Sequence, residues 1–156
     1  MANETLNKTL NYETEIWNIA DYVRDVISRA DYNKVVLPFA LLRRLECALE
    51  PTRDAVVNAV KEHEADWGRE NDNYCQISGK AFYNVTGFRL NNLGATDTYN
   101  ALDAYISGFS PNAREIMLKF EMENTCKKLH DNNMLYEVCN RFAALPLDSE
   151  TVSDRD

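Results

Sequence analysis

Apolar residues recur along this chain with a helical period. Ile16, Ile19, Ala20, Val23, Val26, Ile27 and Ala30 follow the i, i+3, i+4, i+7 spacing that lines one face of a helix. Trp17 and Tyr22 widen that face, and Arg24, Asp25 and Arg29 stand opposite it. Asp31 is a candidate N-cap for a second helix. The stretch from Val35 to Leu49 is apolar nearly all round, which predicts a helix at the centre of a bundle. Pro38 has no amide hydrogen, so it belongs in a first turn or produces a kink. Trp17, Leu37, Leu41, Leu42 and Leu45 are expected in the core. Glu50-Pro51 breaks the second helix, and Pro51 is placed to open a third, from Thr52 to about Trp67. Its stripe is Ala55, Val56, Ala59, Val60 and His63.

Helical periodicity stops over residues 68–95, where four glycines appear and Phe82, Tyr83, Val85, Phe88, Leu90 and Leu93 supply apolar contacts. This predicts a packed irregular segment with room for a short hairpin. Helices resume with a cap at Thr96 or Asp97, a face of Ala101, Leu102, Tyr105 and Ile106, and a stop at Gly108. Ser110-Pro111 is a start signal, with Ile116, Met117 and Phe120 as the expected buried face. Thr125 starts or continues a segment carrying Leu129. After the turn Asp131-Asn132-Asn133, Leu135, Val138, Cys139 and Phe142 mark a last helix, ended by Pro146. The expected fold is mainly α: a compact bundle of about six to eight helices with the irregular segment near 74–95. Residues 1–12 read as a polar, flexible arm, 13–147 as a single helical domain, and 148–156 as an acidic linker tail.

Composition adds exclusions. The 156 residues carry a net charge of −8, which argues against a free-standing nucleic-acid binder. The charge is uneven: residues 73–96 hold Lys80 and Arg89 and no acid, whereas the flanks are acidic. No two of the five glycines lie within six residues of each other, so neither a dinucleotide fingerprint nor a P-loop can be written. No apolar run is long enough for a membrane span, and no signal peptide is evident. Cys47, Cys75, Cys126 and Cys139 form no C-x-x-C pair and read as reduced thiols of a cytoplasmic protein. His63 and His130 have no partner at i+4, so no metal site is expected. No nucleophile motif and no catalytic residue stand out.

Two groups could contact DNA phosphates. Lys80 and Arg89 flank the aromatic pair Phe82-Tyr83, combining charge with stacking surface, although a loop pinned to the core by its aromatics explains the same residues. Arg43 and Arg44 could clamp a phosphate or join Asp21, Asp25 or Glu46 in structural ion pairs.

Five stretches together resemble one family. They are Ile16-Trp-Asn-Ile-Ala-Asp-Tyr-Val-Arg24, Asp31-Tyr-Asn-Lys-Val-Val-Leu-Pro-Phe-Ala-Leu-Leu-Arg-Arg-Leu45, Phe82-Tyr-Asn84, Tyr105-Ile-Ser-Gly-Phe-Ser-Pro-Asn-Ala-Arg-Glu-Ile116 and Leu147-Asp-Ser-Glu-Thr-Val152. They look like the N-terminal region of the modification (M) subunit of type I restriction-modification systems, which are DNA adenine-N6 methyltransferases. The resemblance implies a helical domain that clamps DNA, assembles subunits and senses methylation state. It implies as partners a specificity (S) subunit, a second M subunit, a restriction (R) subunit and duplex DNA. It also implies that S-adenosylmethionine binds a methyltransferase domain following this one. The family's methyl-donor glycine motif and N-P-P-[FY] motif are not in these residues. The residues alone also permit a free-standing acidic helical adaptor between proteins.

Overall fold

A computed structural model of the chain describes the backbone of residues 2–145 and the side chains of residues 13–145. Pro146 as a helix stop and the acidic tail 148–156 lie outside the described residues. Among the described residues eight α-helices follow one another: α1 (Ala2–Val23), α2 (Tyr32–Leu49), α3 (Arg53–Trp67), α4 (Asn73–Ser78), α5 (Thr98–Ser107), α6 (Pro111–Lys119), α7 (Met122–Asp131) and α8 (Leu135–Ala143). Single 3-10 turns at Arg29–Asp31 and Glu50–Thr52 lead into α2 and α3. The fold is the helical domain expected. Among the described residues there is no strand and no hairpin, only an isolated antiparallel bridge between Asn84 and Phe109.

Local differences from the sequence pattern have local causes. The backbone is helical from Ala2, through the segment expected as an arm, because no glycine or proline interrupts residues 2–12. Conversely α1 ends at Val23, short of Ala30, and the turn that follows still buries Ile27. Pro38 sits inside α2 and leaves the Lys34 carbonyl without its helical donor. The Thr125 hydroxyl of α7 donates to that carbonyl at 3.3 Å. Gly68 closes α3 at φ 72°, a conformation other residues adopt at a cost.

The main core joins α1, α2, α5, α7 and α8 through Ile19, Val23, Phe39, Leu42, Leu102, Leu129 and Phe142. Of the residues expected there, Leu42 is fully buried, whereas Leu41 and Leu45 are half-buried. Trp17 and Leu37 are corrections: they are 66% and 52% exposed. At about 100° per residue, Trp17 lies well round the helix from Ile16, Ile19 and Val23, and Leu37 lies on the side of α2 opposite Val35, Phe39 and Leu42. Ile116 and Phe120 are also exposed, because α6 has nine residues and buries only Ala113 and Met117. Ala55 of the third-helix stripe is exposed as well.

A second, smaller core packs Val56, Ala59 and Val60 of α3 against Tyr74, Tyr83 and Val85. Four rings run through it in sequence. His63 stacks on Trp67 at 3.8 Å, Trp67 meets Tyr74 edge-on at 5.5 Å, and Tyr74 meets Tyr83 at 5.4 Å. The hydroxyls are satisfied: Tyr74 donates to the Gly68 carbonyl at 2.6 Å, and Tyr83 accepts from the Asn71 amide at 3.0 Å. The irregular segment is therefore fixed by its aromatics, with Phe82 and Phe88 half-buried against the main core.

Candidate functional site

A network of buried polar residues lies inside the bundle. Glu46 projects from the buried face of α2 and is 1% exposed. Its Oε1 accepts from Arg43 Nη1 at 2.6 Å. Its Oε2 accepts from the Tyr105 hydroxyl and from the Leu90 amide, both at 2.8 Å. One carboxylate thus joins α2, α5 and the irregular segment. Burial pushes the Tyr105 phenol well above its usual range, and the facing Glu46 carboxylate adds to the shift. Arg43 also donates from Nε to the Leu145 carbonyl at 2.8 Å, which ties α2 to the end of α8.

Arg53, 2% exposed at the start of α3, lies beneath the same junction. Its Nη2 donates to the Phe88 carbonyl, and its guanidinium carbon stands 5.3 Å from the centre of the Tyr105 ring. Nε and Nη1 have no acceptor among the described residues.

The network continues to a second junction at Asn84, 1% exposed. Its side-chain amide donates to the Tyr105 carbonyl at 2.8 Å, and its Oδ1 accepts from the Thr86 amide and hydroxyl at 2.8 and 2.6 Å. The backbone bridge lies alongside: Val85 N–H donates to the Gly108 carbonyl and Ser110 N–H to the Tyr83 carbonyl, both at 2.9 Å. Gly108 permits this approach. A Cβ there would lie 2.5 Å from Thr86 Cγ2 and 3.0 Å from Asn84 Oδ1. Gly108→Ala is expected to lower stability by about 1–3 kcal/mol in urea unfolding, because the contact is with two buried side chains that a hydrogen bond holds in place. Gly87→Ala, with nothing within 4 Å of the added methyl, should change it far less. Equal losses would show that the approach at Gly108 is not tight.

The motif stretches singled out in the sequence therefore meet. Arg43, Tyr105, Gly108 and Asn84 come from three of them, and Glu46, one residue beyond the second, joins Arg43 to Tyr105. The sequence held no sign that these stretches touch, because their hydrogen bonds span 21 and 59 positions.

The candidate phosphate contacts are dispersed rather than brought together. Arg89 is held by both oxygens of Glu50 at 3.1 and 2.9 Å, with Asp54 at 3.9 Å. The hydrogen-bonded Glu50 pushes its guanidinium above the usual range. One of the two bases of the positive window, Arg89, is thus matched in space by Glu50 and Asp54. Arg43 is committed to Glu46 and Leu145. Arg44 is half-buried and also engaged within the chain. Lys80 is exposed beyond the end of α4, and among the described residues it makes no ion pair of 4 Å or less.

The described residues include no cluster of three or more potential metal ligands, and no helix is long and apolar enough to cross a membrane. Among the described residues no disulfide joins any of the four cysteines, and Cys126 and Cys139 are buried. Residues 12–142 match a family model described as the HsdM N-terminal domain. No curated protein and no solved structure matches the chain.

Proposed function

Because the chain belongs to the HsdM N-terminal domain family, the N-terminal domain of the modification subunit of type I restriction-modification systems, we propose that it is a non-catalytic helical module for subunit assembly and DNA clamping. In this reading it works beside an S subunit, a second M subunit and an R subunit, in the cytoplasm, and contributes to sensing the methylation state of the DNA. Adenine-N6 methylation and the binding of S-adenosylmethionine belong to another part of the enzyme, since the scattered glycines here provide no methyl-donor loop.

The observation that carries this reading is the use of the family-like stretches. They build a buried polar frame, and two of the four basic candidates, Arg43 and Arg89, are neutralised within it or beside it. A rigid acidic body of this kind does not hold phosphates alone. It can brace basic partner subunits around a duplex.

Calorimetric titration is the test. The isolated chain should take up neither S-adenosylmethionine nor duplex DNA at concentrations up to about 100 μM, well above specific affinities. Stoichiometric uptake of the methyl donor would overturn the proposal. In the assembled enzyme, Lys80→Glu should flatten the dependence of log K on log salt by roughly one contact, about 0.9. Arg89→Gln should change it less, since Glu50 already balances Arg89.

A further inference from the structure

Between α5, α6 and α7 runs an open groove of about 350 Å³. Its floor is apolar: Leu102, Ile106, Met117, Met122 and Cys126. Leu118 stands on its lip, 67% exposed, where a monomer gains nothing from an apolar side chain. The rim is acidic, with Asp103, Glu121 and Glu123 all open to solvent. Arg114 is the lining cation, but its guanidinium is committed to Glu70 at 2.6 Å and to the Ser107 carbonyl at 3.0 Å. The groove is electronegative as a result. Burial is the first cause that pushes Tyr99 and Cys126 up, Cys126 to about 12, and Asp103 and Glu123 push both further.

We propose that this groove docks a basic amphipathic helix of a partner protein. Apolar side chains at i, i+3 or i+4 would enter the floor and cover Leu118, and flanking lysines or arginines would meet Asp103, Glu121 and Glu123. The carboxylates stand on the rim rather than in the floor, so the ligand must carry its charge beside its apolar face. A helix has that shape, and a small cation within the groove would leave Leu118 uncovered. Nucleic acid is disfavoured because the rim repels phosphate. The inference rests on the groove and stands apart from the proposed function.

The probe is a synthetic Lys/Leu amphipathic peptide of about 18 residues, five helical turns, with a Glu/Leu peptide of the same pattern as control. The Lys/Leu peptide should bind the 156-residue chain with a micromolar Kd and the control should not. Leu118→Ser, or Asp103→Asn with Glu123→Gln, should weaken binding by at least about tenfold. Glu62→Gln with Asp66→Asn, which removes the same charge from exposed positions on α3, should leave Kd unchanged. Four results would overturn the proposal. They are equal binding of both peptides, equal weakening by the two charge pairs, no binding at millimolar peptide, and self-association that Leu118→Ser abolishes, which would make a second copy the occupant. Circular dichroism of each variant confirms that it is folded before titration.

Discussion

Replacing Glu46 with alanine is expected to remove about 3–5 kcal/mol of folding stability, a large share of the roughly 5–15 kcal/mol available to a domain. The carboxylate lies in the interior, so its loss returns no solvation to its partners. The Leu90 amide and the Tyr105 hydroxyl are left buried without an acceptor, at about 1–3 kcal/mol each. Arg43 is discounted, because its side chain is 21% exposed and can recover water. Glu46→Gln should cost less, since one amide oxygen can still serve Tyr105 and Leu90 while the amide NH₂ faces Arg43. Urea unfolding of both variants, with Tyr105→Phe and the double mutant, completes a cycle. Glu46 and Tyr105 should couple by at least about 1 kcal/mol. A Glu46→Ala loss below about 1 kcal/mol would mean that the junction is hydrated and contributes little.

Such a role for Glu46 could be read only in part from the sequence. An acid three residues after Arg43 is a natural ion-pair partner, and that pair exists. Its burial was hidden because Tyr105 and Leu90 approach it from 59 and 44 positions away. Local punctuation was far more legible. Gly108 follows the end of α5 and Pro111 opens α6 where expected, and Pro51 lies in the turn that leads into α3. The turn between α6 and α7 had no such mark: Glu121 takes φ 52° without being glycine, so the start of α7 at Met122 was not visible. The same limit applied to the phosphate candidates. Charge summed along the chain isolates Arg89 in a positive window, whereas the fold sets Glu50 and Asp54 against it.

A second large loss is expected for Phe142→Ala, about 3–5 kcal/mol. Phe142 of α8 and Phe39 of α2 are both fully buried, with ring centres 5.2 Å apart and planes 18° from parallel. Truncation opens a cavity between two helices that both also bear on α7, so neither can collapse into it without breaking other contacts. Trp17→Ala is the contrasting variant. Its larger ring is expected from the sequence to widen the apolar face of α1, yet it projects into solvent, so the loss should stay within about 0.5 kcal/mol. The two measurements together test the phase of α1 as well as the packing of α8. A loss at Trp17 comparable to that at Phe142 would require α1 to be rotated by about 100°, which would draw Ile19 and Val23 out of the core they now share with α8. An unchanged Phe142→Ala would instead show that α8 is not held against α2, and the Arg43 to Leu145 hydrogen bond would then have no fixed geometry.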